Sequence, residues 1–120
     1  STAGIMGGLG SHAYTAAKHA IIGITKSVAA ELARYGIRAN CISPAGMATP
    51  MVAATMGDHT DLAATRKNLA EVSPLKGRAG LPEDVVNAVL FLASDESGYT
   101  SGLTLTTDAG ITIGSSNPSP

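Results

Sequence analysis

Charge is what this chain has least of. Asp, Glu, Lys and Arg supply 14% of its 120 residues, where a globular domain ordinarily carries about 25%. With 44% hydrophobic residues, a disordered tail is excluded. Small side chains replace the missing polarity: 20 alanines, 14 glycines, 12 threonines and 11 serines, which let backbones pack closely. The net charge is −1 and no basic cluster occurs, so neither nucleic acid nor an anionic membrane is expected as a partner. The longest aliphatic runs, residues 20–22 and 89–93, fall far short of the ~20 that span a bilayer, so a soluble chain is expected. The single cysteine, Cys41, excludes an internal disulfide. With no signal-like segment at the start, a reducing, cytoplasmic compartment is the expectation. His12, His19 and His59 lack any metal-ligand spacing, so no metal is expected. Ser11 is not in a G-x-S-x-G elbow, which leaves a serine hydrolase without support.

What is present is an alternation of helix and strand. Residues 11–35 are alanine-rich, free of proline and closed by Gly36, the residue type suited to a left-handed C-cap. One helix of about six or seven turns is expected. Small or apolar residues occupy more than one of its faces, which predicts burial on two sides. In residues 37–43, Ile37, Ala39 and Cys41 alternate with Arg38 and Asn40, which reads as a strand ending at Pro44. Residues 44–57 hold two prolines, two glycines and three methionines, a loop with a short helix around residues 51–56. A helical stretch is expected over residues 58–72, then loop again through Ser73, Pro74, Gly77 and Gly80. The whole of residues 44–81 is long enough to be a lid or binding loop. Pro82, Glu83 and Asp84 mark the start of another helix, and residues 101–108 alternate as a strand. Residues 114–120 read as a frayed tail.

Helices alternating with strands imply βαβ units and a parallel sheet with helices on its faces. Two strands are too few for a doubly wound sheet. The chain therefore reads as part of an α/β domain.

Tyr14 and Lys18 are four apart on the expected helix and rise from one face. A phenol titrates near 10 and is a poor acid or base at neutral pH, whereas a nearby ammonium favours the phenolate. Alone, the pair also fits a buried tyrosine beside a lysine whose stem runs along an apolar surface. Gly8, Gly10 and Ala13 fit the dinucleotide fingerprint G-x-G-x-x-A. However, no strand of proper length precedes them, and Glu31 lies inside the helix instead of at a strand end. A turn shaping the substrate side is the better reading. Cys41 reads as a small buried hydrophobe, and Met47, Met51 and Met56 suit either an apolar cleft or ordinary loop packing.

The order of motifs then becomes specific. Ser1 precedes Tyr14-Thr15-Ala16-Ala17-Lys18 by thirteen residues, and Gly36-Ile37-Arg38-Ala39-Asn40-Cys41-Ile42-Ser43-Pro44 follows. Later come Gly77-Arg78, Pro82-Glu83-Asp84-Val85, Tyr99-Thr100-Ser101-Gly102 and Asp108-Ala109-Gly110. Together they resemble the C-terminal half of a short-chain dehydrogenase/reductase over residues 1–114, most closely the plant secoisolariciresinol and xanthoxin dehydrogenase group. That likeness implies an α/β fold, the C-terminal part of a doubly wound, Rossmann-type parallel sheet, with the N-terminal nucleotide-binding half absent.

The resemblance implies that Tyr14 moves a proton at the substrate oxygen. It implies that Lys18 lowers the pKa of that phenol and holds the nicotinamide ribose, and that Ser1 hydrogen-bonds the substrate oxygen. Pro44, Ala45, Gly46, Met47 and Thr49 would lie along the cofactor, NAD by expectation with NADP not excluded. Thr49 also reads as a helix N-cap before Pro50. Where the family places glycine directly after the proline, this chain has Ala45, with glycine displaced to Gly46. A hydrophobic small-molecule substrate and a homo-oligomer built through helix 11–35 are further expectations. The alternative is a catalytically inactive fragment acting as a dimerisation or interaction module.

Overall fold

The structure is a computed structural model that describes residues 1–57 and 61–114. Its longest element is helix α1, His12–Leu32. Ser11 caps it, its hydroxyl accepting the Tyr14 N–H at 3.2 Å. A short 3₁₀ turn, Ala33–Tyr35, tightens the far end, and Gly36 closes it in the left-handed conformation, φ 69°, a backbone that only glycine adopts at little cost. The expected bounds of 11–35 are met.

Strand β1, Cys41–Pro44, pairs in parallel with β2, Thr104–Thr107, with Cys41 opposite Thr104 and Pro44 opposite Thr107. Both strands are shorter than expected. Residues 37–40 lie outside the ladder: Ala39 O still accepts the Gly102 N–H at 2.7 Å, and side chains make the other links to the second strand's approach. Arg38 donates to Ser97 Oγ at 2.9 Å and to the carbonyls of Leu92, Ser94 and Thr100. Asn40 donates to Thr100 O and accepts the Leu103 N–H, both at 3.0 Å.

Between the strands run α2 (Pro50–Thr55), α3 (Leu62–Val72) and α4 (Pro82–Ala93). Asp61 caps α3, accepting from Ala63 N and Ala64 N. Pro82 opens α4, as its fixed φ and missing N–H favour. The four Arg38 bonds therefore place a positive charge at the C-terminal end of α4, where it meets carbonyls the helix leaves unpaired. Beyond β2, a turn at Ile111–Ile113 was not anticipated from the sequence. Residues 58–60, where the third helix was expected to begin, and residues 115–120 of the expected tail lie outside the described residues.

The apolar core is small. Among the described residues, the buried apolar side chains are Ala3, Ala29, Ala53, Ala79 and Leu92. The Cα radius of gyration is 16.0 Å, above the roughly 13–14 Å of a compact domain of this length. Burial of α1 on two sides is not met within the chain. Ala29 is its one buried residue, and Ile21 and Ile24 are 52% and 58% exposed. A helix so rich in small and apolar residues is covered only where the turn Thr2–Gly4 and β1 touch it.

Candidate active site

One turn of α1 carries the first half of the site. Lys18 Nζ lies 5.3 Å from the centre of the Tyr14 ring, as the four-residue spacing requires. Tyr14 is 43% exposed, so the phenol is open to a reactant and the buried-anchor reading does not describe it. Gly10 lets the ring lie against the preceding chain, since a Cβ there would meet Tyr14 Cδ1 at 2.9 Å.

Ser1 stands nearby. Its hydroxyl accepts the Ala3 N–H at 3.1 Å, which leaves its own proton to donate. The turn Thr2–Gly4 backs directly onto α1, and a Cβ on Gly4 would lie 2.6 Å from the Lys18 carbonyl oxygen. His12, Thr15, Ala16 and His19 line a separate groove, and His19 Nδ1 is 2.9 Å from Thr15 O. Neither histidine faces the Tyr14–Lys18 side. No cluster of metal-ligating side chains occurs among the described residues, and His59 lies outside them.

The second half sits at the C-terminal ends of the parallel strands, where open α/β sheets bind ligands. Ala45 donates its N–H to Thr107 O at 3.1 Å, continuing the ladder past Pro44. Thr49 caps α2, its hydroxyl accepting the Val52 N–H at 3.3 Å, so the N-cap reading holds and its proton remains to donate. Ala45, Gly46 and Met47 form one wall of a cleft of about 370 Å³. Leu69, Val72, Leu75 and Ile111 make it largely apolar. Thr107 also lines it, and Thr107 Oγ1 is buried without a hydrogen-bond partner. The displaced glycine has a steric reason: a Cβ on Gly46 would stand 3.3 Å from Leu69 Cδ2 of α3. Ser1, Tyr14, Lys18, Pro44 and Thr49 do not line this cleft, so the expected residues form two groups, not one.

Two carboxylates, Asp84 and Asp108, shape the cleft's rim; the sequence marks them as a helix start and a family motif, not as site residues. Asp84 lies below its ordinary pKa of 3.8, first because Arg78 donates to it and then because the Leu81 N–H does, at 2.9 Å. At Asp108, burial pulls the pKa up. The hydrogen bonds from Thr112 Oγ1 at 2.6 Å, Thr112 N and Gly110 N outweigh it, and the pKa is lowered. Arg38 and Asn40 read from the sequence as polar members of a strand and of a family motif, not as bracing residues. An arginine alone in an otherwise apolar run was the available signal. The fingerprint around Gly8 lies in bends between the 3₁₀ turn Thr2–Gly4 and α1.

The donor set fits the nicotinamide half of a dinucleotide. It offers an ammonium and a phenol on one helix face, hydroxyl protons on Ser1 and Thr49, and a loop whose bare α-carbon at Gly46 opens at the strand ends. A parallel sheet with helices between its strands and a cleft at the strand ends define a Rossmann-like α/β fold. A family model described as enoyl-(acyl carrier protein) reductase matches residues 1–112, and the chain belongs to the short-chain dehydrogenase/reductase family.

The chain is 48% identical to (+)-borneol dehydrogenase 2 of Salvia officinalis over 116 residues, covering 93% of this chain and 41% of the relative. It is 46% identical to xanthoxin dehydrogenase of Arabidopsis thaliana, with the same coverage. Among solved structures, levodione reductase superposes with a TM-score of 0.81 at 33% identity, over 96% of this chain and 45% of that one. The chain thus spans about two fifths of the length of the curated relatives it matches, and the plant resemblance read from the motifs is met. Dehydrogenases of this family use nicotinamide cofactors.

Proposed function

We propose that these residues form the catalytic part of an NAD-dependent oxidoreductase acting on a secondary alcohol, or the matching ketone, of a hydrophobic small molecule. The observation that carries this reading is the exposed Tyr14 with Lys18 Nζ 5.3 Å from its ring, in a chain of this family. When bound, the nicotinamide accepts or returns the hydride. Tyr14 Oη takes the carbinol proton as the alcohol is oxidised and gives it back on reduction. Lys18 sets a positive charge 5.3 Å from the centre of the Tyr14 ring, and it reaches the ribose hydroxyls. The Ser1 hydroxyl donates to the substrate oxygen, where charge develops. Pro44, Ala45, Gly46, Met47 and Thr49 hold the nicotinamide side. The apolar cleft walls suit a hydrocarbon skeleton, which supports a hydrophobic substrate.

The test is to mix the protein with NAD or NADP and a panel of cyclic secondary alcohols and follow nicotinamide reduction. Turnover with NAD preferred supports the reading. Turnover only with NADP corrects the cofactor.

A second reading rests on a different observation. Ile21 and Ile24 stand exposed on α1, which supports association of copies through this helix. It equally supports an inactive chain that docks on a full-length relative. A chain that turns nothing over but co-purifies with such a relative favours that second reading. No helix among the described residues is long and apolar enough to cross a membrane, and a cytoplasmic site of action remains part of the proposal.

A further inference from the structure

The loop that forms the cofactor side of the cleft is held from outside its own strand. Ala48 donates its N–H to Gly80 O at 2.9 Å, and Met47 pairs with Gly80 as an isolated parallel bridge. The two are 33 residues apart, with α2 and α3 between them. A Cβ on Gly80 would lie 2.6 Å from Met47 Sδ and 3.1 Å from Gly46 O. The first would force the Met47 side chain to move and the second is tight against backbone, so glycine at residue 80 is what allows so close an approach. Gly80 is fixed in turn by its neighbours on both sides. Asp84, in the first turn of α4, accepts the Leu81 N–H at 2.9 Å and pairs with the Arg78 guanidinium. A continuous chain of contacts therefore runs from the start of α4 through Asp84, Arg78 and Leu81 to Gly80, and on to Met47 and Ala48.

We propose that Gly80 and Asp84 are positioning residues: through the Gly80–Met47 clasp they set the backbone of residues 45–49, which the proposed function assigns to the nicotinamide. This inference rests on that assignment for its consequence, but the clasp itself can be read without any cofactor. Without it, the loop would be fixed only by Pro44 and the Ala45 bond to β2, and its far end would move with the α2–α3 excursion.

The experiment is amide hydrogen exchange at Ala48, with Cys41 as internal control because its N–H is bonded to Leu103 O within the strand pair. It is coupled to NADH binding followed by nicotinamide fluorescence. Gly80→Ala should speed exchange at Ala48 and weaken NADH binding, each by about tenfold, the scale of one lost hydrogen bond. Cys41 should be unaffected. Met47→Ala added to Gly80→Ala should restore most of the protection at Ala48, because it removes the sulfur that the new methyl strikes. Asp84→Asn keeps an acceptor for Leu81 N–H and loses the charge on Arg78, so it should fall between wild type and Gly80→Ala.

Exchange at Ala48 unchanged in Gly80→Ala overturns the proposal. So does acceleration at Cys41 equal to that at Ala48, or a double variant no better than the single. A wild type that binds no NADH while Ala48 responds as described upholds the clasp and removes the cofactor reading.

Discussion

The two halves of the site are held in opposite ways. The strand-end half is braced by bonds that cross the whole chain: Arg38 and Asn40 tie the lead into β1 to the end of α4 and the lead into β2. Gly80 and Asp84 secure the loop beyond. The Tyr14–Lys18 half is braced mostly by its own helix, with one short turn against it and two large isoleucines exposed. In physical terms, the first half is determined within these residues. The second has its internal spacing determined but most of its surroundings open.

The largest expected effect falls on the braced half. Arg38→Ala removes four hydrogen bonds from one charged group and leaves the Leu92 and Ser94 carbonyls at the end of α4 to Ser97 alone. A loss of about 2–4 kcal/mol is expected, read as a lower urea midpoint, with Arg38→Lys recovering only part of it because an ammonium lacks the planar fork. An equal stability for Arg38→Ala would erase the contrast between the halves.

Gly4→Ala should come next. A methyl 2.6 Å from the Lys18 carbonyl oxygen meets backbone that cannot step aside, so the Ser1 turn must lift from α1 at a cost of about 1–3 kcal/mol. Nuclear magnetic resonance shifts at Ser1 and Lys18 should move while those of β1 and β2 stay. If the shifts spread evenly, the two halves are not separately held.

A smaller effect is expected from acid. The folded-state pKa values of Asp84 and Asp108 are depressed, so their contribution is present above the unfolded value of about 3.9. It is lost as pH falls through the lower folded values. Melting temperature should hold from neutral pH to about pH 5 and decline below about pH 4. Asp108→Asn should flatten the decline more than Asp84→Asn, since the Arg78 pair is at the surface and screened by salt. The smallest effect is that of Ile24→Asp. It should leave stability within about 0.5 kcal/mol, as exposed sites do, yet abolish association through α1 in sedimentation. Unchanged association would remove that helix as the contact.

What the sequence revealed follows the same division. The bounds of α1 were legible because Ser11 and Gly36 act locally, and Tyr14 with Lys18 was legible because one helical turn sets their spacing. The strands were overestimated because alternation cannot show that Arg38 and Asn40 reach residues more than 50 positions away. Gly46 was noticed as a departure from the family pattern, but its reason, Leu69 on α3, is a tertiary contact. Gly80 looked like ordinary loop glycine, and only the approach of Met47 explains it.

The account's central claim is that Tyr14 moves the proton. Its most direct test is the rate of nicotinamide reduction with a cyclic secondary alcohol for Tyr14→Phe against wild type. A fall in kcat of about 10²–10⁴-fold, with KM nearly unchanged, is predicted. A variant as fast as wild type would contradict the claim.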